Sequence, residues 1–67
     1  MTTQTKTIKL DQFIKWVGIA STGGEAKVMI QNGEVQVNGA TETRRGRKLV
    51  SGDAVMLQGE TYNVELT

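Results

Sequence analysis

The stretch Thr22-Gly23-Gly24-Glu25-Ala26-Lys27-Val28-Met29-Ile30-Gln31-Asn32-Gly33-Glu34-Val35-Gln36-Val37-Asn38-Gly39 reads as a helix, a stop and the first arm of a hairpin. Thr22 followed three residues later by Glu25 forms a capping box, so a helix is expected to start there. Ala26, Met29 and Ile30 fall at i, i+3 and i+4, a narrow apolar stripe, while Lys27 and Gln31 point to the other side. Asn32-Gly33 ends the helix, because both residue types tolerate the left-handed conformation of a C-terminal cap. Val35 and Val37 then alternate with Glu34 and Gln36, so the period falls to two and a strand begins. Asn38-Gly39 closes that strand as a tight hairpin turn.

Working outward toward the N-terminus, residues 1–4 are polar and expected to fray, and Thr5 to Lys9 alternates enough for a short edge strand. Leu10, Phe13, Ile14 and Val17 make a helical stripe with Asp11, Gln12 and Lys15 opposite it. Asp11 falls in the first turn, where the helix dipole favours it. Trp16 lies just off the stripe and is expected to pack at its rim. Gly18 ends this helix, and the link Ile19-Ala20-Ser21 is so short that the two helices must pack on each other. Toward the C-terminus, Ala40 to Thr43 returns as the second hairpin strand, and Arg44 to Lys48 is a loop or strand end broken by Gly46. Ser51-Gly52-Asp53 is a turn. Ala54 to Gln58 is a strand with Val55 and Leu57 on one face. After a turn at Gly59-Glu60, Tyr62, Val64 and Leu66 alternate on a last strand. The fold class is α+β: two N-terminal helices packed on a small antiparallel sheet, in a single domain over residues 1–67.

At 67 residues the chain has room for a small core only. It contains no Cys and no His, so the commonest metal ligands and catalytic base are missing. Asp11, Glu25, Glu34 and Glu42 are scattered, each with an ordinary place in a cap or on a solvated strand face. Ser21 and Ser51 have no His to activate them. Neither an enzyme nor a bound metal or cofactor is expected. No apolar run approaches the roughly 18–20 residues of a membrane span, and the polar start does not resemble a secretory signal. A soluble, cytoplasmic monomer is the simplest expectation.

The net charge of +1 hides an uneven distribution. Residues 1–43 hold four lysines and four acids; residues 44–48 contribute +4; residues 49–67 hold Asp53, Glu60 and Glu65 with no base. Arg44, Arg45, Arg47 and Lys48 are therefore the strongest functional signal, since guanidinium groups bind phosphate bidentately and stack on exposed bases. Lys15 and Lys27, on the polar faces of their helices, would extend that patch. Thr22, Gly23 and Gly24 begin a helix whose free N–H groups can hold a phosphate that residues without side chains let approach. The spacing is not that of a Walker loop.

Leu10-Asp11 opening a helix, then Ala26 and Ile30, Gly33, Val35, Val37-Asn38-Gly39 and Gly52-Asp53, together resemble the S4 RNA-binding domain, or alpha-L motif, over about residues 8–58. Thr22 to Lys27 with Glu42 to Lys48 is similar to the short stand-alone members of that family. The resemblance implies binding of structured RNA, commonly ribosomal RNA, through the helix pair and adjoining loop, with a role in large-subunit assembly. Many family members carry an Arg directly after the Ser or Thr that opens the second helix. Gly23 stands there in this chain, so the weight falls on Lys27 and the Arg44 to Lys48 loop. A different class of function would use the acidic C-terminal hairpin, through Glu60 and Glu65, to engage a protein partner.

Overall fold

The computed structural model describes residues 6–66. Strand β1 (Ile8–Lys9) leads directly into helix α1 (Leu10–Trp16), and helix α2 (Gly23–Gln31) follows. Five strands complete the chain: β2 (Gln36–Val37), β3 (Ala40–Thr41), β4 (Lys48–Leu49), β5 (Ala54–Leu57) and β6 (Glu60–Asn63). Of the strand expected from Thr5, Ile8 and Lys9 form; Thr5 itself lies outside the described residues.

Both helices end for the same physical reason. Past α1, Gly18 takes φ +88°, its N–H bonds to the Lys15 carbonyl at 3.1 Å, and the Ile19 N–H reaches back to the Ile14 carbonyl at 3.2 Å. Past α2, Gly33 takes φ +78°, and the pairs are Gly33 to Ile30 at 3.1 Å and Glu34 to Met29 at 3.2 Å. These are Schellman closures, which satisfy the last carbonyls and reverse the chain. Asn32 stays right-handed; only the glycine carries the left-handed step. At the other end of α2 the Thr22 hydroxyl accepts from the Glu25 N–H at 3.1 Å. Glu25 makes no return bond, so half of the expected capping box forms.

The strands make two antiparallel sheets. One has the order β3-β2-β5-β6, and the other joins β1 to β4, pairing Ile8 with Leu49 and Lys9 with Lys48. Both tight hairpins are type I′. Asn38-Gly39 takes φ 52° and 85° between β2 and β3; Gln58-Gly59 takes 53° and 77° between β5 and β6. The second turn is thus one residue earlier than Gly59-Glu60, and Glu60 already pairs with Leu57. A two-residue turn with both φ positive suits the right-handed twist of its strands, and this sets the register.

The core is what the periodicities predict. Leu10, Phe13 and Ile14 from α1 and Ala26, Met29 and Ile30 from α2 are buried against Val35, Val37, Leu49, Val55, Leu57 and Val64. Val37 and Val55 are direct cross-strand partners on the inner face. Trp16 departs from expectation. It is 66% exposed, touching Phe13 at a ring-centroid distance of 6.1 Å instead of closing over the core. Position 16 lies on the side of the helix opposite the buried stripe of Leu10, Phe13 and Ile14, so it turns outward.

Candidate nucleic-acid interface

The basic loop is bound to the rest of the molecule by its backbone. Helix α1 has no side-chain cap, because Lys9 occupies the N-cap position. Its first N–H groups are met by the loop: Leu10 N–H bonds to the Arg47 carbonyl at 2.9 Å and Asp11 N–H to the Arg45 carbonyl at 3.1 Å. Arg44 and Arg47 close a turn between them, with the Arg47 N–H on the Arg44 carbonyl at 3.2 Å. A shallow depression opens there, lined by Arg44, Gly46, Arg47 and Lys48.

Inside the loop sits a carboxylate. Glu42 was expected on a solvated strand face, but it is 7% exposed, turned inward because its N–H continues the ladder to the Val35 carbonyl at 2.9 Å. Arg44 grips it with Nε on Oε2 at 3.0 Å, Nη2 on Oε1 at 3.3 Å and its own backbone N–H on Oε2 at 3.1 Å. Arg47 adds Nη1 on Oε1 at 2.9 Å. These hydrogen bonds, Arg44's foremost, hold the Glu42 carboxyl far below its ordinary 4.5, at about 2. The Arg44 guanidinium is pushed up in return. Arg44 keeps 76% of its side chain exposed while bound, so its outer edge stays open to a ligand; Arg47 keeps 33%, and its Nε is buried without an acceptor. The four bases therefore divide. Arg45 and Lys48 are exposed and make no ion pair among the described residues, Arg44 is held but open, and Arg47 is largely a structural strut.

Tertiary structure adds a base that the one-dimensional reading left out. Lys9 is the direct cross-strand partner of Lys48, and both are exposed. Opposed like charges weaken a strand pair, and an anion lying across both would relieve that repulsion. The alternation of residues 6–9 marks a strand, but nothing local says that its partner is 39 residues on. Only the sheet pairing brings Lys9 to the loop.

The remaining predicted residues lie elsewhere. Lys15 is on the exposed side of α1, four residues past Asp11 and so about 6 Å farther along the axis. Thr22, Gly23 and Gly24 open α2, and Lys27 is half-buried one turn later on the same face as Gly23. The Gly23 and Gly24 N–H groups have no protein acceptor among the described residues. Neither glycine has a positive φ, and a methyl group would meet nothing at Gly23 and only the Thr22 hydroxyl, at 3.9 Å, at Gly24. The fold itself therefore does not require glycine at either place. No hydrogen bond or ion pair among the described residues connects this turn or Lys27 to the basic loop. Glu60 and Glu65 stand at the two ends of the edge strand β6 and its extension, both exposed.

No described helix is long and apolar enough to cross a membrane, and no three or more described His, Cys, Asp or Glu residues are grouped to hold a metal ion. The sequence pattern of the S4 domain matches residues 1–65. The chain belongs to the S4 domain family. This S4 domain is 44% identical over 55 residues to RlbA of Bacillus subtilis (strain 168), named a probable ribosome maturation protein, covering 82% of this chain and 78% of that one. It is 37% identical over 57 residues to YbcJ of Escherichia coli (strain K12), named as a candidate RNA-binding protein, covering 85% and 81%. Its fold superposes with a TM-score of 0.65 and 25% identity on the 30S ribosomal protein S4e from Thermoplasma acidophilum, over 94% of this chain and 32% of that one. The S4 domain here thus spans about a third of that ribosomal protein.

Proposed function

We propose that this S4 domain is a non-catalytic, monomeric protein that binds folded ribosomal RNA through the Arg44 to Lys48 loop and serves ribosome assembly. The observation that carries the reading is the ordering of that loop. Its carbonyls cap α1, Glu42 fixes two of its arginines, and Lys9 is set beside Lys48. A phosphate-binding surface gains from such order, because the backbone that carries the cationic side chains is fixed on folding instead of on binding. The names of the RlbA and YbcJ relatives and the ribosomal structural neighbour support the choice of RNA and of the ribosome.

On this reading Arg45, Lys48, Lys9 and the open edge of Arg44 meet phosphates, and the start of α2 with Lys27 takes a second contact. Selection is mostly by the shape of the RNA, since phosphate contacts position without reading sequence. The test is a titration against a structured ribosomal RNA fragment, with a DNA duplex as control. The pair Arg45→Ala with Lys48→Ala should lower RNA affinity about tenfold and leave the melting temperature unchanged. Absence of RNA binding at low salt would overturn the reading. Co-sedimentation with separated ribosomal subunits then identifies the particle, with the large subunit expected.

A further inference from the structure

Along α1, Gln12, Lys15 and Trp16 fall at i, i+3 and i+4 and form a single exposed stripe opposite the buried Leu10, Phe13 and Ile14. Beside the stripe runs an open groove of about 570 Å³, lined by Ile8, Gln12, Lys15, Trp16 and Leu66. Its floor is apolar and its rim carries one amide and one ammonium. The indole is 66% exposed, yet it is not loose, because it is tilted at 59° against Phe13, a core residue that fixes its edge. Lys15 has no ion-pair partner among the described residues. Ile8 lines the groove, while the next residue, Lys9, points to the opposite face of β1, where it stands beside Lys48.

A flat, pre-positioned aromatic face with a free ammonium one residue away matches the chemistry of one nucleotide, a base with a phosphate beside it. We propose that Trp16 is a stacking platform for one unpaired base of the bound RNA, with Lys15 on an adjoining phosphate and the Gln12 amide at the edge of the base. The inference rests on the RNA-binding reading above and adds to it a preference for RNA with an unpaired nucleotide. Lys15 suits any anion, and the flat exposed indole beside it is what favours a nucleotide over an acid-rich peptide strand.

Trp16 is the only tryptophan in the chain, so its fluorescence reports the site directly. Two RNAs of equal length are titrated, one fully paired and one with an unpaired loop, against the native chain, Trp16→Ala, Trp16→Phe and Lys15→Ala. The loop RNA is expected to quench the indole in step with binding, and the paired RNA to leave it unchanged. Trp16→Ala should weaken loop RNA roughly 5- to 100-fold and paired RNA hardly at all, while Trp16→Phe keeps most of the affinity. Lys15→Ala should reduce the salt slope for loop RNA by about one. If both RNAs bind Trp16→Ala as tightly as the native chain, or neither quenches the native indole on binding, the stacking site falls and the RNA reading stands. If the native chain binds neither RNA, both fall. A fluorescence change on concentrating the protein alone would assign the groove to a second copy and overturn the proposal.

Discussion

At Glu42 a buried carboxylate is matched to two arginines, and that match has a pH dependence whose sign is fixed. Its folded value, about 2, is below the ordinary 4.5, so between these values the unfolded chain binds more protons than the folded one. The stabilisation is fully present above pH 4.5 and is lost as the pH falls through 2. Asp53 adds to the same trend, held low by the Val50 N–H and the Asn38 amide. Glu42→Gln keeps the shape and removes the charge. Thermal melts from pH 7 down to pH 2 should show it about 1–2 kcal/mol less stable than the native chain near neutrality, and flatter below pH 4.5, with Asp53's share of the slope remaining. Parallel profiles would mean that Glu42 contributes no charge-dependent stability. The sequence displays a Glu two residues before an Arg, but many such carboxylates are solvated; the inward turn at Glu42 depends on the ladder bond to Val35.

Among the elements, the two β-turn regions are tied to each other. Asn38 holds φ 52° in the first hairpin turn, and its side chain accepts from the Ala54 N–H at 2.9 Å and donates to Asp53 at 3.1 Å. Asp53 in turn accepts from the Val50 N–H at 2.9 Å across the Ser51-Gly52 turn. The Val-Asn-Gly and Gly-Asp signatures of the sequence are thus two halves of one clamp between β2 and β5. Asn38→Ala combines left-handed strain with lost hydrogen bonds and should cost about 2–3 kcal/mol, measured by urea unfolding, with RNA affinity of the folded protein unchanged. The basic loop separates in the same way. Arg45→Ala should weaken RNA binding without moving the melting temperature, whereas Arg47→Ala should lower both, since it strips Glu42 of a partner. Equal effects of the two variants on stability would refute this division of labour.

For the molecule as a whole, the charge pattern is more decisive than the net charge of +1. The loop's +4 is partly offset by Glu42 and reinforced by Lys9, while Asp53, Glu60 and Glu65 lie in the segment that follows the loop. With about five phosphates contacted, affinity for structured RNA should fall roughly 100-fold between about 50 and 200 mM salt. A flat salt dependence, read in the same titration, would mean that the loop is not the contact surface.

Everything with a local cause could be read from the chain alone. The helix stripes, the threonine cap, the glycine stops, the Asn-Gly turn and the alternation of the strands each depend on residues within about one turn or one hairpin of each other. The family signature follows from the same local pieces in order. The candidate site was half legible, because four bases in five residues announce themselves. How those bases are used came from the folded arrangement. Lys9 reaches Lys48 through a sheet pairing between distant segments, and Glu42 is drawn inward and takes two arginines with it. Both depend on strand pairing, local at Glu42 and distant at Lys9, and a periodicity carries no record of which partner it will meet.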